Sequence, residues 1–494
     1  MDQIGPLLAL VYLGLFGLLS LLGAHRLLMV LLYLRHRKEA PRPAGAFPEP
    51  PFVTVQLPLY NEKFVAPRLL EAAAALDWPR EKLEIQVLDD STDETREVVA
   101  SKVEELRARG IPMVHLHRKE RRGFKAGALA EGLEKARGEF VAVFDADFLP
   151  PRNFLKRTVP FFTDPRVGMV QARWGHLNRS HSLLTAVQAV LLDGHFLLEH
   201  TARNRSGRFF NFNGTAGIWR RRAIEEAGGW AHDTLTEDLD LSYRAQLAGW
   251  KFVYLPDLVV PGELPAEMNA FKSQQHRWTK GALENSRKLL PLLWKAPVPL
   301  KVKLEATIHM TSNLAYLCML LVSLILLPVL SWRLAHANTW LTWAADGFIL
   351  LAATVSVLLF YALSQGVQGG RRLLRSLFLF PLLMALGIGI SLNNALAVLE
   401  GLAGKKSPFV RTPKTGGAPL GRRGPGQGDY QARIGPLPWI EILLGLYILP
   451  AVALTASHGL WASAALVALF SGGFLYVGLL SAAPALARLR PGVR

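Results

Sequence analysis

Apolar residues are spread along this chain in two ways: long unbroken runs lie toward both ends, and short runs broken by charge, Pro and Gly fill residues 35–305. From Pro6 to Leu34 only His25 and Arg26 interrupt the first run, which exceeds the ~20 residues that a membrane helix needs. It is too long for the apolar part of a signal peptide, and no basic residue precedes it. Four further spans are predicted at Ala306–Trp332, Trp340–Ser364, Leu437–Ala456 and Leu460–Ala482. Short loops join the second to the third and the fourth to the fifth, so each couple forms an antiparallel pair. Arg35-His36-Arg37-Lys38 follows the first span, and Arg488, Arg490 and Arg494 follow the last. Basic flanks favour the cytoplasm, which puts the amino terminus outside and the carboxyl-terminal tail inside.

Residues 376–402 are apolar enough for a sixth span, yet Arg371, Arg372 and Arg375 precede them and Lys405, Lys406, Arg411 and Lys414 follow. Both ends therefore favour the same side, and the stretch from Ser391 to Glu400 is polar along one edge. An interfacial or re-entrant helix satisfies this pattern. The expected organisation is a membrane helix at 1–34, a cytoplasmic domain at 35–281, and an interfacial helical linker at 282–305. A membrane pair at 306–364, the interfacial segment at 365–402, a basic loop at 403–436, a second pair at 437–482 and a tail at 483–494 complete it.

Within the central region, Phe52–Leu59 is a strand pattern ending in Tyr60-Asn61-Glu62, and Ile85–Leu88 is a buried-strand pattern ending in Asp89-Asp90-Ser91-Thr92-Asp93. Helical stretches near Ala66–Leu76 and Asp93–Arg109 separate and follow them. Alternating strand and helix predicts a parallel α/β sheet, whose ligands sit at the carboxyl ends of its strands. A further strand, Phe140–Phe144, ends in Asp145-Ala146-Asp147. Two carboxylates one residue apart at a strand end can share a hard divalent cation, which prefers oxygen ligands and bridges phosphates.

Composition narrows the class. Charged residues make up only 19% of the chain and its net charge is +17, which fits basic membrane flanks or a site for phosphorylated ligands and excludes a disordered, apolar-poor chain. Cys318 is the single cysteine, so neither an intrachain disulfide nor a cysteine-based zinc site is possible.

Other clusters carry chemistry by type. Arg118–Leu129 leads through Gly123 into a helical pattern containing Lys125, a combination suited to a diphosphate. Asn213-Gly214-Thr215-Ala216-Gly217 is a run of small residues that lets backbone approach a ligand. Thr236-Glu237-Asp238 reads either as a helix cap or as the source of a general base for a hydroxyl nucleophile. Gln274-Gln275-His276-Arg277-Trp278 offers a guanidinium for phosphate and an indole face for a sugar.

Taken in order, Asp89-Asp90, Asp145-x-Asp147, Thr236-Glu237-Asp238 and Gln274-x-x-Arg277-Trp278 resemble the processive family 2 glycosyltransferases, and the wording within the motifs resembles the cellulose synthase-like branch, with its plant mannan synthases and xyloglucan-backbone glucan synthases. The resemblance runs from residue 50 to the carboxyl terminus. It implies a GT-A nucleotide-sugar fold set between transmembrane helices, about five spans plus an interfacial helix, in a multi-pass protein of the plasma (inner) membrane. It further implies that Tyr60, Glu62 and Asp90, with Asp89 beside them, face the nucleoside. Asp145 and Asp147 would hold Mg²⁺ or Mn²⁺, with Lys125 near the diphosphate. Asp238 would act as base, Gln274 and Arg277 would hold the donor, and Asn213, Gly214, Thr215 and Trp278 would form the acceptor side. Phe409-Val410-Arg411-Thr412-Pro413-Lys414 resembles the gating loop of cellulose synthases through Phe409, Thr412 and Lys414, although Arg411 replaces the usual Val.

The implied reaction is an inverting displacement that lengthens a β-1,4-glucan or mannan from UDP-glucose or GDP-mannose and carries the polymer across the membrane. Membrane lipid, and no nucleic acid, is the other expected partner. A non-processive transferase adding one sugar to a lipid, as in glucosylceramide synthesis, shares most of these motifs and is the alternative. A haloacid-type phosphatase would want Thr where Leu149 stands, and a scaffold or transporter has no need of polar clusters at several strand ends.

Overall fold

The computed structural model describes residues 4–336, 354–406, 414 and 435–488. After helix α1 (Ile4–His36) come β1 (Val53–Leu59), α2 (Ala66–Ala74), β2 (Leu83–Asp89), α3 (Thr95–Ala108), β3 (Met113–His117), α4 (Phe124–Lys135), β4 (Phe140–Val143), α5 (Phe154–Thr158) and β5 (Val167–His176). Next are α6 (Leu183–Asp193), a π-helical stretch at Gly194–His200, α7 (Thr201–Arg205), β6 (Gly217–Arg220), α8 (Arg221–Glu226), α9 (Glu237–Leu247), β7 (Lys251–Gly262) and α10 (Met268–Lys295). The chain closes with α11 (Leu300–Thr311), α12 (Leu314–His336), α13 (Ser356–Gly366), α14 (Gly370–Leu377), α15 (Phe380–Gly389), α16 (Ser391–Ala403), α17 (Leu437–Ser457) and α18 (Trp461–Arg488).

The strands form one sheet in the order β3-β2-β1-β4-β6-β5-β7. Strands β1 to β4 are parallel, as expected. The sheet as a whole is mixed, because β6 runs antiparallel to both β4 and β5. Gly217 pairs with Val143, the last residue of β4, so the chain enters β6 at the end where β4 leaves. That reversal brings Asn213–Ala216 to the same edge as Asp145–Asp147. Every residue of β1, β2 and β4 is buried. Strand β4 reads as a continuous apolar run, whereas the buried polar residues of β1 and β2 satisfy one another across the pair, Thr54 Oγ1 donating to Glu84 Oε2 at 2.7 Å and Gln56 Nε2 to Gln86 Oε1 at 3.0 Å. The edge strand β3 has no such signal: His115 and His117 interrupt it and most of it is partly exposed. Trp219, Phe212, Phe252 and Tyr254 fill the layer on one face.

Among the described residues four helices are long and apolar enough to cross a membrane: Ile4–His36, Leu314–His336, Leu437–Ser457 and Trp461–Leu486. A fifth is counted if α14 and α15, bent by 55°, form one broken span or re-entrant loop. The span expected from Ala306 begins instead at Leu314, since α11 stops at Thr311 and the polar pair Ser312-Asn313 separates it from α12. Most of the predicted span Trp340–Ser364 lies outside the described residues. Its far end is α13, which sits tightly on the sheet-bearing domain: a Cβ on Gly194 would lie 2.6 Å from the Phe360 ring.

Candidate active site

A cleft opens at the carboxyl ends of β1, β2 and β4 and is closed on its far side by α9 and α10. At one end, Tyr60 and Glu62 follow β1 and Asp90 follows β2. Arg118 grips Asp90 with two bonds, Nε to Oδ1 at 2.7 Å and Nη2 to Oδ2 at 2.6 Å, and the Arg121 guanidinium lies 3.4 Å over the Tyr60 ring. Asp89, expected beside the nucleoside, does not line the cleft. It points to the other side of the strand, fully buried, and accepts hydrogen bonds from His115 Nε2 and the Ser91 amide, each at 2.9 Å. Burial alone would raise its carboxyl, but those bonds outweigh it and hold the pKa below the usual value. Its placement makes it a brace between β2 and β3.

In the middle of the cleft, the turn after β4 presents Asp145 and Asp147. Each meets an ammonium group: Lys125 Nζ lies 2.5 Å from Asp145 Oδ1, and Lys414 Nζ lies 2.6 Å from Asp147 Oδ2. Lys125 also donates to the Gly214 carbonyl at 2.8 Å, and Lys414 to that of Glu263 at 3.0 Å. Burial lowers the Lys125 pKa, but Asp145 and Glu237 outweigh it and the net shift is upward. Among the described residues no three His, Cys, Asp or Glu side chains converge as a metal cage. Lys414 thus joins the site across 267 residues of sequence, whereas Phe409 and Thr412 lie outside the described residues.

Asp238 sits in the first turn of α9 with Glu237 and Asp240. The three acids separate by partner. Asp240 is buried and bound by Arg244 at 2.5 Å and Lys288 at 2.8 Å, so it serves the fold. Glu237 and Asp238 line the cleft. Burial, then the charge of Glu237, raises the Asp238 carboxyl to about 7 against the pull of Lys125. Across from it, Gly214 has φ +79°, and a Cβ there would come within 3.1 Å of Asp238 Oδ2. Glycine therefore serves twice, by allowing left-handed backbone and by leaving room. Asn213 lines the cleft with it. Thr215, expected on the acceptor side, is fully buried. Its hydroxyl accepts the Asp145 amide at 2.9 Å, fixing the turn that carries the carboxylates.

Helix α10 supplies Gln274, Arg277 and Trp278 to one wall, because residues three and four apart share a helix face. Burial depresses the Arg277 guanidinium, offset in part by Glu237, Asp145 and Asp238. The Trp278 ring stands 6.4 Å from Trp174, which in turn is 4.9 Å from Phe148. Trp174, His176 and Glu263 line the cleft without having been assigned a role from sequence. Glu263 has only its place directly after β7 as a signal, and strand order is needed to see it.

Residues 50–281 match the family described as "Glycosyltransferase like family 2". A glucomannan 4-beta-mannosyltransferase 1 from Oryza sativa subsp. japonica is 37% identical over 388 residues, 74% of this chain and 70% of that protein. The chain belongs to glycosyltransferase family 2. A second glucomannan 4-beta-mannosyltransferase 1, from Cyamopsis tetragonoloba, is 35% identical over 81% of this chain and 76% of its own length. With glucomannan 4-beta-mannosyltransferase 2 from Arabidopsis thaliana the identity rises to 47% over 49% of this chain, and there the family 2 chain spans about half the relative's length (46%). The GT-A arrangement of the catalytic domain is shared with a solved structure, the mannosyltransferase PcManGT from Pyrobaculum calidifontis in complex with GDP-Man and Mn²⁺. Its TM-score is 0.56, with 22% identity and coverage of 79% of this chain and all of that one.

Proposed function

We propose that this family 2 transferase elongates a β-1,4-linked mannan or glucomannan, taking mannose from GDP-mannose at a cytoplasmic catalytic domain and passing the product toward the membrane. The observation that carries the reading is the convergence in one cleft of a carboxylate with a pKa near 7, an Asp-x-Asp pair and an α10 wall of Gln274, Arg277 and Trp278. Identity of 35–47% to proteins named as glucomannan 4-beta-mannosyltransferases supports mannose over glucose. Long apolar helices on both sides of the domain support an integral membrane enzyme.

Asp145 and Asp147 are hard oxygen donors one residue apart lining the cleft, so they would suit Mg²⁺ or Mn²⁺. A cation held there would offset the charge of the departing nucleoside diphosphate. The protein's own groups do the rest. Tyr60, Glu62 and Asp90 hold the nucleoside end, and Arg277, Gln274 and Lys125 hold the diphosphate by charge and hydrogen bonding. Trp278 presents an apolar ring face to the acceptor sugar. Asp238 takes the proton of the attacking hydroxyl, which then displaces the diphosphate from C1 on the opposite face, so that an α-linked donor gives a β-linkage. A base with a pKa near 7 is well matched to that step.

The test is a donor panel on the full chain purified in lipid, with released nucleotide and product length measured for each sugar. Polymeric product from GDP-mannose is expected. A single sugar added to a lipid would overturn processivity, and a preference for UDP-glucose would overturn the donor.

A further inference from the structure

We infer that His195, with Glu199 and His200, forms a relay that fixes the Asn213 side chain, and that His195 is thereby a positioning residue for the acceptor sugar. The inference rests on the proposed reading that the Asn213 end of the cleft receives the acceptor. Its basis is a chain of hydrogen bonds whose directions follow from chemistry. Glu199 can only accept, so the His195 Nδ1–H donates to Glu199 Oε2, at 2.9 Å. The opposite nitrogen, His195 Nε2, therefore accepts from Asn213 Nδ2 at 3.2 Å. His200 Nε2 lies 2.6 Å from Asn213 Oδ1 and donates to it. His200 is kept neutral chiefly by burial, with the positive charge of nearby Arg203 acting the same way. Both ends of the amide are thus committed by one bond each. One N–H and one carbonyl lone pair remain, the complement of a sugar hydroxyl, which both donates and accepts.

The local backbone explains how two histidines reach one amide. Five residues along an α-helix point about 140° apart. His195 and His200 lie within the π-helical stretch Gly194–His200, where the wider turn brings position i+5 onto the same side, and their ring centroids are 4.2 Å apart. The anchor is tied in turn to the membrane side. Glu199 lies 3.4 Å from Arg203 and 3.9 Å from Arg26 of α1. Arg203 reaches Glu305 of α11 at 2.9 Å, and Glu305 reaches His25 of α1 at 3.0 Å.

The experiment measures initial rates of the full-length enzyme in lipid against a β-1,4-manno-oligosaccharide acceptor at saturating GDP-mannose, with GDP-mannose affinity by calorimetry. Variants are His195→Met, His195→Gln, Asn213→Ala and the double His195→Met/Asn213→Ala. Gln can accept through its oxygen and donate through its nitrogen, whereas Met of similar size does neither. His195→Met should raise the acceptor KM about five- to tenfold, the worth of a lost hydrogen bond, and leave donor affinity unchanged. His195→Gln should restore most of it, and His195→Met should add nothing in the Asn213→Ala background. Equal damage by Met and Gln, or additive effects in the double variant, would overturn the relay. If His195→Met does not fold, a wild-type acceptor KM in Asn213→Ala overturns it equally. A wild-type enzyme inert with every donor would instead remove the proposed function itself.

Discussion

Asp238 and Asp147 differ in what surrounds them, and each carries its own prediction. Asp238 has a raised pKa, so it is protonated below about 7 and cannot take a proton there. The kcat/KM of the enzyme should therefore rise with pH through about 7. Asp238→Asn should cut turnover by at least ~10²-fold, abolish that limb and keep donor affinity, all measurable by rate profiles and calorimetry. The stability sign is the reverse. A carboxyl raised in the folded state favours the protonated fold, and that contribution is lost as pH rises through about 7. Hence Asp238→Asn should melt at a temperature no lower than wild type at pH 8, and near-normal polymer yield would direct the search for the base to Glu237. Asp147, paired with Lys414 and accepting the Glu263 amide at 3.1 Å, stands at the point where positive charge converges. Asp147→Asn should abolish sugar transfer with the protein still folded, and EDTA should do the same to wild type. Full activity in excess EDTA would sink the role in cation binding.

At the scale of elements, the catalytic domain is fastened to the membrane helices by buried charge. Lys272 on α10 meets Glu441 on α17 at 2.7 Å, both nearly inaccessible to water. Removing one partner of such a pair strands the other, at a cost of about 3–5 kcal/mol, whereas replacing both by apolar residues can be neutral. Glu441→Gln should thus lower the thermal midpoint of the detergent-purified protein, and Lys272→Met/Glu441→Leu should recover it. The same helix α10 carries Gln274, Arg277 and Trp278 into the cleft, so loosening its foot should also weaken donor binding in the single variant. Equal stability of the single and the double variant would show that the pair does not hold α10 in place.

For the whole molecule, basic residues set the orientation. Lys405 and Lys406 precede residue 407, and Lys414 reaches the catalytic cleft. With Cys318 first changed to Ala, a cysteine at Ser407 should react with a membrane-impermeant thiol reagent only after cells are opened. Labelling in intact cells would place that loop outside and overturn the five-span arrangement.

Chain order alone was enough for part of this. The strand ends that carry Tyr60, Asp90 and Asp145 were legible because strand patterns alternate with helical ones, and a polar cluster directly after such a strand marks the ligand edge of a parallel sheet. The spacing of Gln274, Arg277 and Trp278 disclosed one helix face in the same way. Local pattern could not tell which member of a polar cluster faces the cleft, since neighbours on a strand point to opposite sides. Asp89 and Thr215 turned inward to brace the scaffold, and Asp240 was taken by Arg244 and Lys288. Nor could it reveal the antiparallel β6 or the π-helical turn that gathers His195 and His200 on Asn213; Lys414 was named from the sequence only through its resemblance to a gating loop, and its ion pair with Asp147 belongs to the fold. Those depend on contacts between residues far apart in sequence or on a backbone shape set by packing. Composition and periodicity carry the preferences of each segment, and only the folded chain decides which segments meet.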